Sequence, residues 1–269
     1  MLKLVLYERP VELQKLLQFT RKKWVIFLHG IGGDCRTFSL QIKAFQPHFN
    51  LLLPDLRGHG ASTDMSPPSS GKYTFELIAE DVFSLMDSLG IERAHFVGES
   101  FGATLIRKMQ ELHPDRFLCV VTAGGVLRLN ILIYSVFCIG KYLSPVINKY
   151  FLYKIMAYII MPKKNHAKSR QLFLKISKTV PPCEFISWLF ILSEVKFKMD
   201  KLFRKPFTSP TLLINGNEDY AFIADNIRFC KKNPQTHMHI ITSCGHLSNI
   251  DKYQEFNDLA IEFLLNERV

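Results

Sequence analysis

The chain has 269 residues, 48% of them hydrophobic and 22% charged, enough for one large α/β domain with an insertion or for two small domains. That composition excludes a disordered chain, a collagen-like repeat and a disulfide-stapled miniprotein. Lys and Arg outnumber Asp and Glu by 34 to 24, a net +10, which points first to nucleic acid or another anionic surface as partner.

At the amino terminus, Lys3 precedes a short apolar run at residues 4–7 that Glu8 and Arg9 end. No signal-peptide core fits there, so the expectation is a cytoplasmic protein with reduced thiols. Trp24–Leu28 reads as a short buried strand, followed by His29-Gly30 and a glycine-rich loop. Residues 50–53 read as a second strand ending at Pro54-Asp55. Phe75, Ile78, Val82, Leu85, Met86 and Leu89 recur at helical spacing, with Glu76, Glu80, Asp81 and Asp87 on the other face and Gly90 closing the helix. Residues 94–97 predict a strand, Phe101–Leu112 a helix ended by Pro114, and residues 118–122 the next buried strand. Short apolar strands alternating with amphipathic helices predict an α/β fold: a mostly parallel sheet covered by helices on both faces.

The rhythm breaks after Gly124-Gly125. Residues 126–205 read as apolar-basic helices punctuated by Pro145, Pro162 and Pro181-Pro182. The nearest approach to a membrane span, residues 129–140, stops at Lys141 and is too short. From Pro210 the α/β pattern resumes, with strands at residues 211–214 and 238–241, a helix around 225–231 and a last helix through Leu265. The expected division is therefore a core of residues 1–125 and 206–269, with 126–205 as a helical cap, or lid, over the carboxyl edge of the sheet.

This division relocates the charge. Residues 126–205 hold 15 Lys or Arg against Glu184, Glu194 and Asp200, whereas the rest carries 19 basic and 21 acidic side chains. The basic residues of the insertion interleave with apolar ones, and no nucleic-acid-binding module is visible. The plainer reading is helices packing on the core with solvated lysines outside. The sharper one is a lid that lines an apolar acyl pocket and touches an anionic membrane through its basic outer face. Nucleic acid fits less well than either. The six cysteines form no Cys-x-x-Cys, so neither a zinc site nor a thioredoxin-like motif is expected. His237 and His239 alternate on one strand, but no acidic cluster accompanies them, so they read as strand histidines and not as metal ligands.

Gly98-Glu99-Ser100-Phe101-Gly102 has the form G-x-S-x-G between a predicted strand and a predicted helix. A sharp turn there lifts the serine to its apex, and glycine is needed where the flanking backbone closes in. The following helix also aims its amino terminus at the serine, favouring negative charge.

On these residues the chain resembles the α/β-hydrolase superfamily, and most closely its serine carboxylesterases and monoacylglycerol lipases. His29-Gly30-Ile31-Gly32-Gly33 resembles the oxyanion loop, and residues 55–62, Asp-Leu-Arg-Gly-His-Gly-Ala-Ser, resemble the D-x-R-G-x-G-x-S loop. Gly216-Asn217-Glu218-Asp219 and Gly245-His246 complete the pattern, whose order is serine, acid, histidine. The resemblance implies that Ser100 is the nucleophile, His246 its base and Asp219 the acid orienting the imidazole. Backbone N–H groups of Ile31 and Phe101 would bind the oxyanion. Asp225 and Glu218 are the rival acids; His29 and His59 read as loop-bracing residues, and Cys244 as packing behind the loop of His246. Glu99 stands where close relatives more often have histidine, and reads as packing or pairing beside the turn.

The expected activity is hydrolysis of a small carboxylic ester with an apolar acyl or alcohol group, with no metal or organic cofactor. The same residues would serve a thioesterase, lactonase, carbon–carbon bond hydrolase or cofactor-free lyase. A serine nucleophile argues against the epoxide hydrolases and haloalkane dehalogenases of the superfamily, which use aspartate. The alternative outside catalysis is a ligand-binding signalling protein that keeps a hydrolase pocket.

Overall fold

The computed structural model describes residues 22–63, 65 and 72–266, so the apolar run at residues 4–7 lies outside the described residues. Six described strands form one sheet: β1 Trp24–Leu28, β2 Asn50–Leu52, β3 Ala94–Glu99, β4 Phe117–Ala123, β5 Thr211–Gly216 and β6 Thr236–Ile241. Every described pairing is parallel, in the order β2-β1-β3-β4-β5-β6. The chain leaves β1 outward to β2 and then returns to β3 on the other side of β1. Strand order therefore reverses between β1 and β3, and a crevice opens beyond the carboxyl ends of such a pair.

Alternation along the strands builds two cores. Ile26, Leu28, Phe96, Val120 and Leu213 face one side, where α2 (Phe75–Ser88) and α3 (Phe101–Leu112) pack through Ile78, Val82, Leu105 and Met109. Val25, Phe27, Val97, Val121, Leu212 and Ile214 face the other, against Phe45 of α1 (Ser39–Phe45) and Phe256, Ala260 and Leu264 near the carboxyl terminus. Helix α1 is an element the sequence pattern did not suggest. It has two turns, too short for its apolar positions Leu40, Ile42, Ala44 and Phe45 to set a period.

Between β4 and β5 run four helices: α4 Ile131–Leu143, α5 Lys149–Ile160, α6 Ala167–Ser177 and α7 Pro182–Phe203. Local chemistry sets their starts. The Asn130 side chain accepts from Ile133 N at 2.9 Å and the Asn148 side chain from Tyr150 N at 2.8 Å, while α7 opens on Pro182, where a missing N–H costs nothing. Helix α4 packs on α7 and α5 on α6. Polar ties hold the block to the sheet domain. Buried Arg107 on α3 donates to the carbonyls of Leu202, Lys205 and Pro206 at 2.6, 2.7 and 2.9 Å. The Trp188 indole donates to Arg57 O at 3.0 Å, and Tyr73 donates to Glu184 at 2.7 Å. After β5 come α8 (Ile223–Lys232), then β6, the short α9 (Ser248–Asp251) and α10 (Tyr253–Asn266). Among the described residues, no helix is long and apolar enough to cross a membrane.

Candidate active site

Ser100 stands alone between the last residue of β3 and the first of α3, with φ 53° and ψ −117°. A non-glycine residue there costs on the order of 1–3 kcal/mol and persists only where its surroundings enforce it. They do: Ser100 N donates to Ala123 O at 3.0 Å, and Ser100 O accepts from Ala103 N at 3.1 Å and Val126 N at 3.0 Å. The flanking glycines are fixed by close approach. A Cβ at Gly98 would meet Ala103 N at 2.8 Å, and one at Gly102 would overlap the Leu28 carbonyl at the end of β1.

The loops after β5 and β6 bring the other two residues to the same point. His246 and Asp219 are both buried. The Ser100 hydroxyl lies 2.8 Å from His246 Nε2, and His246 Nδ1 lies 3.0 Å from Asp219 Oδ2. A carboxylate only accepts, so Nδ1 carries the proton and donates to Asp219, leaving Nε2 to accept from Ser100. The Phe222 ring packs against the imidazole with centroids 5.0 Å apart. The rival acids are engaged elsewhere. Asp225 pairs with Arg228 at 2.6 Å, and Glu218 takes Lys163, Asn165 and His166 of the helical block at 2.8, 2.7 and 2.9 Å.

Ile31 and Phe101 both line the cavity that Ser100 and His246 enter. Phe101 N–H is the first of α3, one of the donors a helix leaves without an internal partner. The loop of Ile31 is braced by two neutral histidines. Gly32 N donates to His59 Nε2 at 3.0 Å and Leu56 N donates to His29 Nε2 at 2.9 Å, while the two rings meet edge to face at 5.1 Å. Burial, with His29 beside it, pushes His59 down to about 3. Asp55 closes the same brace by accepting from Cys35 N and Ala61 N, each at 2.8 Å. Residues 55–62 thus work as scaffolding for the loop above the serine.

Glu99 is buried below the turn, where desolvation raises its carboxyl above the usual range and Asn249 donates to it at 3.2 Å. Cys244 is fully buried behind the His246 loop, and burial pushes its thiol up to about 12. His239 lies 3.5 Å from Glu255 and His237 packs on Phe263. The one group with metal-ligand spacing among the described residues is Asp34, Cys35 and Asp55. Its carboxylates are occupied by Arg36 and by the backbone donors already named.

The cavity has a volume of about 270 Å³. Its floor is Gly30, Glu99, Ser100 and His246, and its walls are Phe137 of α4, Leu152 and Met156 of α5, Phe173 of α6, and Phe185 and Leu189 of α7. Ser100 and His246 thus face a chamber whose wall is almost entirely apolar. Sequence reading missed Asn249 and Asn226, and the tie that Trp188 makes. Asn226 donates to Gly125 O at 2.8 Å, behind the end of β4. Buried amides and an indole inside helices look like ordinary helix residues, and only their long-range carbonyl partners reveal the role.

A family model described as alpha/beta hydrolase fold matches residues 23–134. Protein ABHD8 of Bos taurus is 26% identical over 90% of this chain and 56% of its own length, so the chain spans about half of that relative. The sn-1-specific diacylglycerol lipase ABHD11 of Mus musculus is 26% identical over 89% of this chain and 80% of its own. Among solved structures, the esterase EaEST from Exiguobacterium antarcticum superposes with a TM-score of 0.77 at 16% identity, covering 91% of this chain and 92% of that one. With the parallel sheet and the strand-turn-helix at Ser100, these matches show that the chain has the α/β-hydrolase fold.

Proposed function

We propose that the chain is a serine hydrolase that cleaves carboxylic esters with an apolar acyl or alcohol group, through an acyl-enzyme on Ser100. One observation carries this reading: the hydrogen-bonded run from Asp219 through His246 to Ser100 ends at the floor of an apolar chamber. The helical block of residues 126–205 acts as the cap of that chamber. The diacylglycerol lipase designation of the mouse relative favours a glycerolipid ester.

An alcohol is a poor nucleophile until a base takes its proton. As the Ser100 oxygen attacks the ester carbonyl, its proton passes to His246 Nε2, and the carbonyl π electrons move onto oxygen. The N–H groups of Phe101 and Ile31 receive that oxyanion, each worth roughly 3 kcal/mol where such donors have been removed from other enzymes. Buried Asp219 holds the imidazole in the productive tautomer and stabilises the imidazolium. Collapse of the intermediate breaks the ester C–O bond, and the leaving alcohol takes the proton from His246. Water then attacks the acyl-enzyme, giving its proton to His246. Collapse returns that proton to Ser100 and frees the carboxylic acid.

The test is turnover of p-nitrophenyl esters of increasing chain length, beside thioesters and lactones, by the wild type and Ser100→Ala. The variant is expected to lose on the order of 10⁴-fold or more in kcat, and a fluorophosphonate probe to label the wild type alone. Full turnover by Ser100→Ala overturns the mechanism. A folded protein whose Ser100 resists the probe is instead a ligand-binding relative of these enzymes.

A further inference from the structure

The exposed faces of α4 and α5 have inverted polarity. On α4, Leu132, Ile139, Tyr142 and Leu143 fall on one stripe, and on α5, Phe151, Ile155, Tyr158 and Ile159 fall at i, i+4, i+7 and i+8. That spacing marks the face a helix usually buries, yet these residues are exposed: Leu132 by 70%, Tyr142 by 81% and Phe151 by 53%. Val146, in the connecting loop, is 81% exposed. So many large apolar side chains exposed on two successive helices mark an interaction site.

The charge around it selects the partner. No Asp or Glu occurs anywhere from residue 116 to residue 183, whereas residues 126–183 carry ten Lys or Arg. Cations sit over rings at the edge of the patch, Lys141 over Phe190 at 4.1 Å and Arg170 over Tyr158 at 4.6 Å. Such interleaving places apolar side chains at acyl depth with basic groups at headgroup level. Two copies of the patch would bring like charges together, and a nucleic acid would leave the aliphatic stripe in water. The helices have 13 and 12 residues, about 20 Å at 1.5 Å per residue, too short to span a bilayer and suited to lying on one.

The patch is also continuous with the cavity. Ile139, Leu143, Ile155 and Ile159 are at once exposed on the outer face and part of the lining of the chamber above Ser100. We propose that α4 and α5 dock on an anionic lipid leaflet, with their apolar stripes at the headgroup–acyl boundary, and that lipid substrate enters between the two helices without crossing water. Docking stands on the surface alone; the entry route rests on the serine-hydrolase reading above.

The experiment is vesicle co-sedimentation of the full chain, using phosphatidylcholine alone and phosphatidylcholine with 30 mol% phosphatidylserine. Two variants avoid residues that line the cavity: Tyr142→Ser/Val146→Ser/Phe151→Ser for the stripe, and Lys149→Glu/Lys154→Glu/Lys164→Glu for the charge. The wild type should bind the anionic vesicles at least tenfold better than the neutral ones. Each triple variant should lose on the order of a hundredfold in partition, keep wild-type turnover of a soluble short-chain ester, and lose turnover of a long-chain ester embedded in vesicles. Ser100→Ala should bind vesicles like the wild type, so ester turnover absent with docking intact sinks the reading of the site and spares the docking. Equal binding to neutral and anionic vesicles, no binding, or unchanged binding by both triple variants overturns the proposal. A wild-type dimer that the stripe variant turns into a monomer, without vesicle binding, assigns the face to a second copy and overturns it as well.

Discussion

Gly124, just past the end of β4, lies against the backbone of His246: a Cβ there would overlap the His246 carbonyl oxygen and stand 3.1 Å from its Nδ1. Gly124 also has φ +55°, in the left-handed region. Both constraints act on the residue that must reach Ser100 at 2.8 Å. Gly124→Ala is therefore expected to push the imidazole off its line to Ser100. We expect a fall in stability of roughly 1–3 kcal/mol and at least a tenfold slower reaction with a fluorophosphonate probe in the fraction that remains folded. A folded variant that labels at the wild-type rate contradicts this.

Glu218 fastens the helical block to the β5–β6 side of the sheet through Asn165, Lys163 and His166. Hydrogen bonds from Asn165 and Lys163 hold its carboxyl down to about 2, against an ordinary 4.5. The folded value is depressed, so this stabilisation is fully present above pH 4.5 and fades as pH falls toward 2. Glu218→Gln should melt roughly 2–4 °C below the wild type at pH 7, and the gap should narrow steadily below pH 4.5. A gap that stays constant from pH 7 to pH 3 would show that the charge of Glu218 does not carry the tie.

His59 gives a second, separable acid response. Buried neutral beneath Gly32, it titrates near 3, whereas an unfolded histidine takes its proton near 6.5. Between those values the unfolded chain binds one proton more at this position. Stability is therefore complete above pH 6.5 and falls as pH drops, by up to about 1.4 kcal/mol per pH unit. His59→Gln, which can still accept from Gly32 N and donate to Arg57 O, should show a shallower slope in denaturant titrations from pH 8 to pH 4. Equal slopes for the two proteins would exclude His59 as the source.

Much of the fold was legible because strands β1 to β6 are short apolar runs and α2 and α3 repeat at 3.6 residues, signals carried by local periodicity. The hydrogen-bonded set was legible for a different reason. Ser100 is flanked by glycines that a close backbone approach requires, and Asp219 and His246 follow strands in the order of serine, acid and histidine that the family resemblance implies. Helix α1 escaped because two turns are too short for its apolar positions to show a helical period. The work of Gly124 escaped too: a glycine pair at a break in pattern looks like a loop, and only the sheet brings His246 against it. Asn249 and Asn226 were invisible because their carboxylate and carbonyl partners lie 150 and 101 residues away in sequence.

His166 touches both loops that complete the site. Its ring reaches Glu218, next to Asp219, and presses on Gly245, next to His246, where a Cβ would lie 2.7 Å from the ring. The helical block is thus not an interchangeable module. Grafting it onto another core of this fold would succeed only where the recipient offers a carboxylate just before its acid and a glycine just before its histidine. Shuffling such blocks among relatives should work as pairs of matched halves, with the short turn at residues 163–166 as the key that fits one lock.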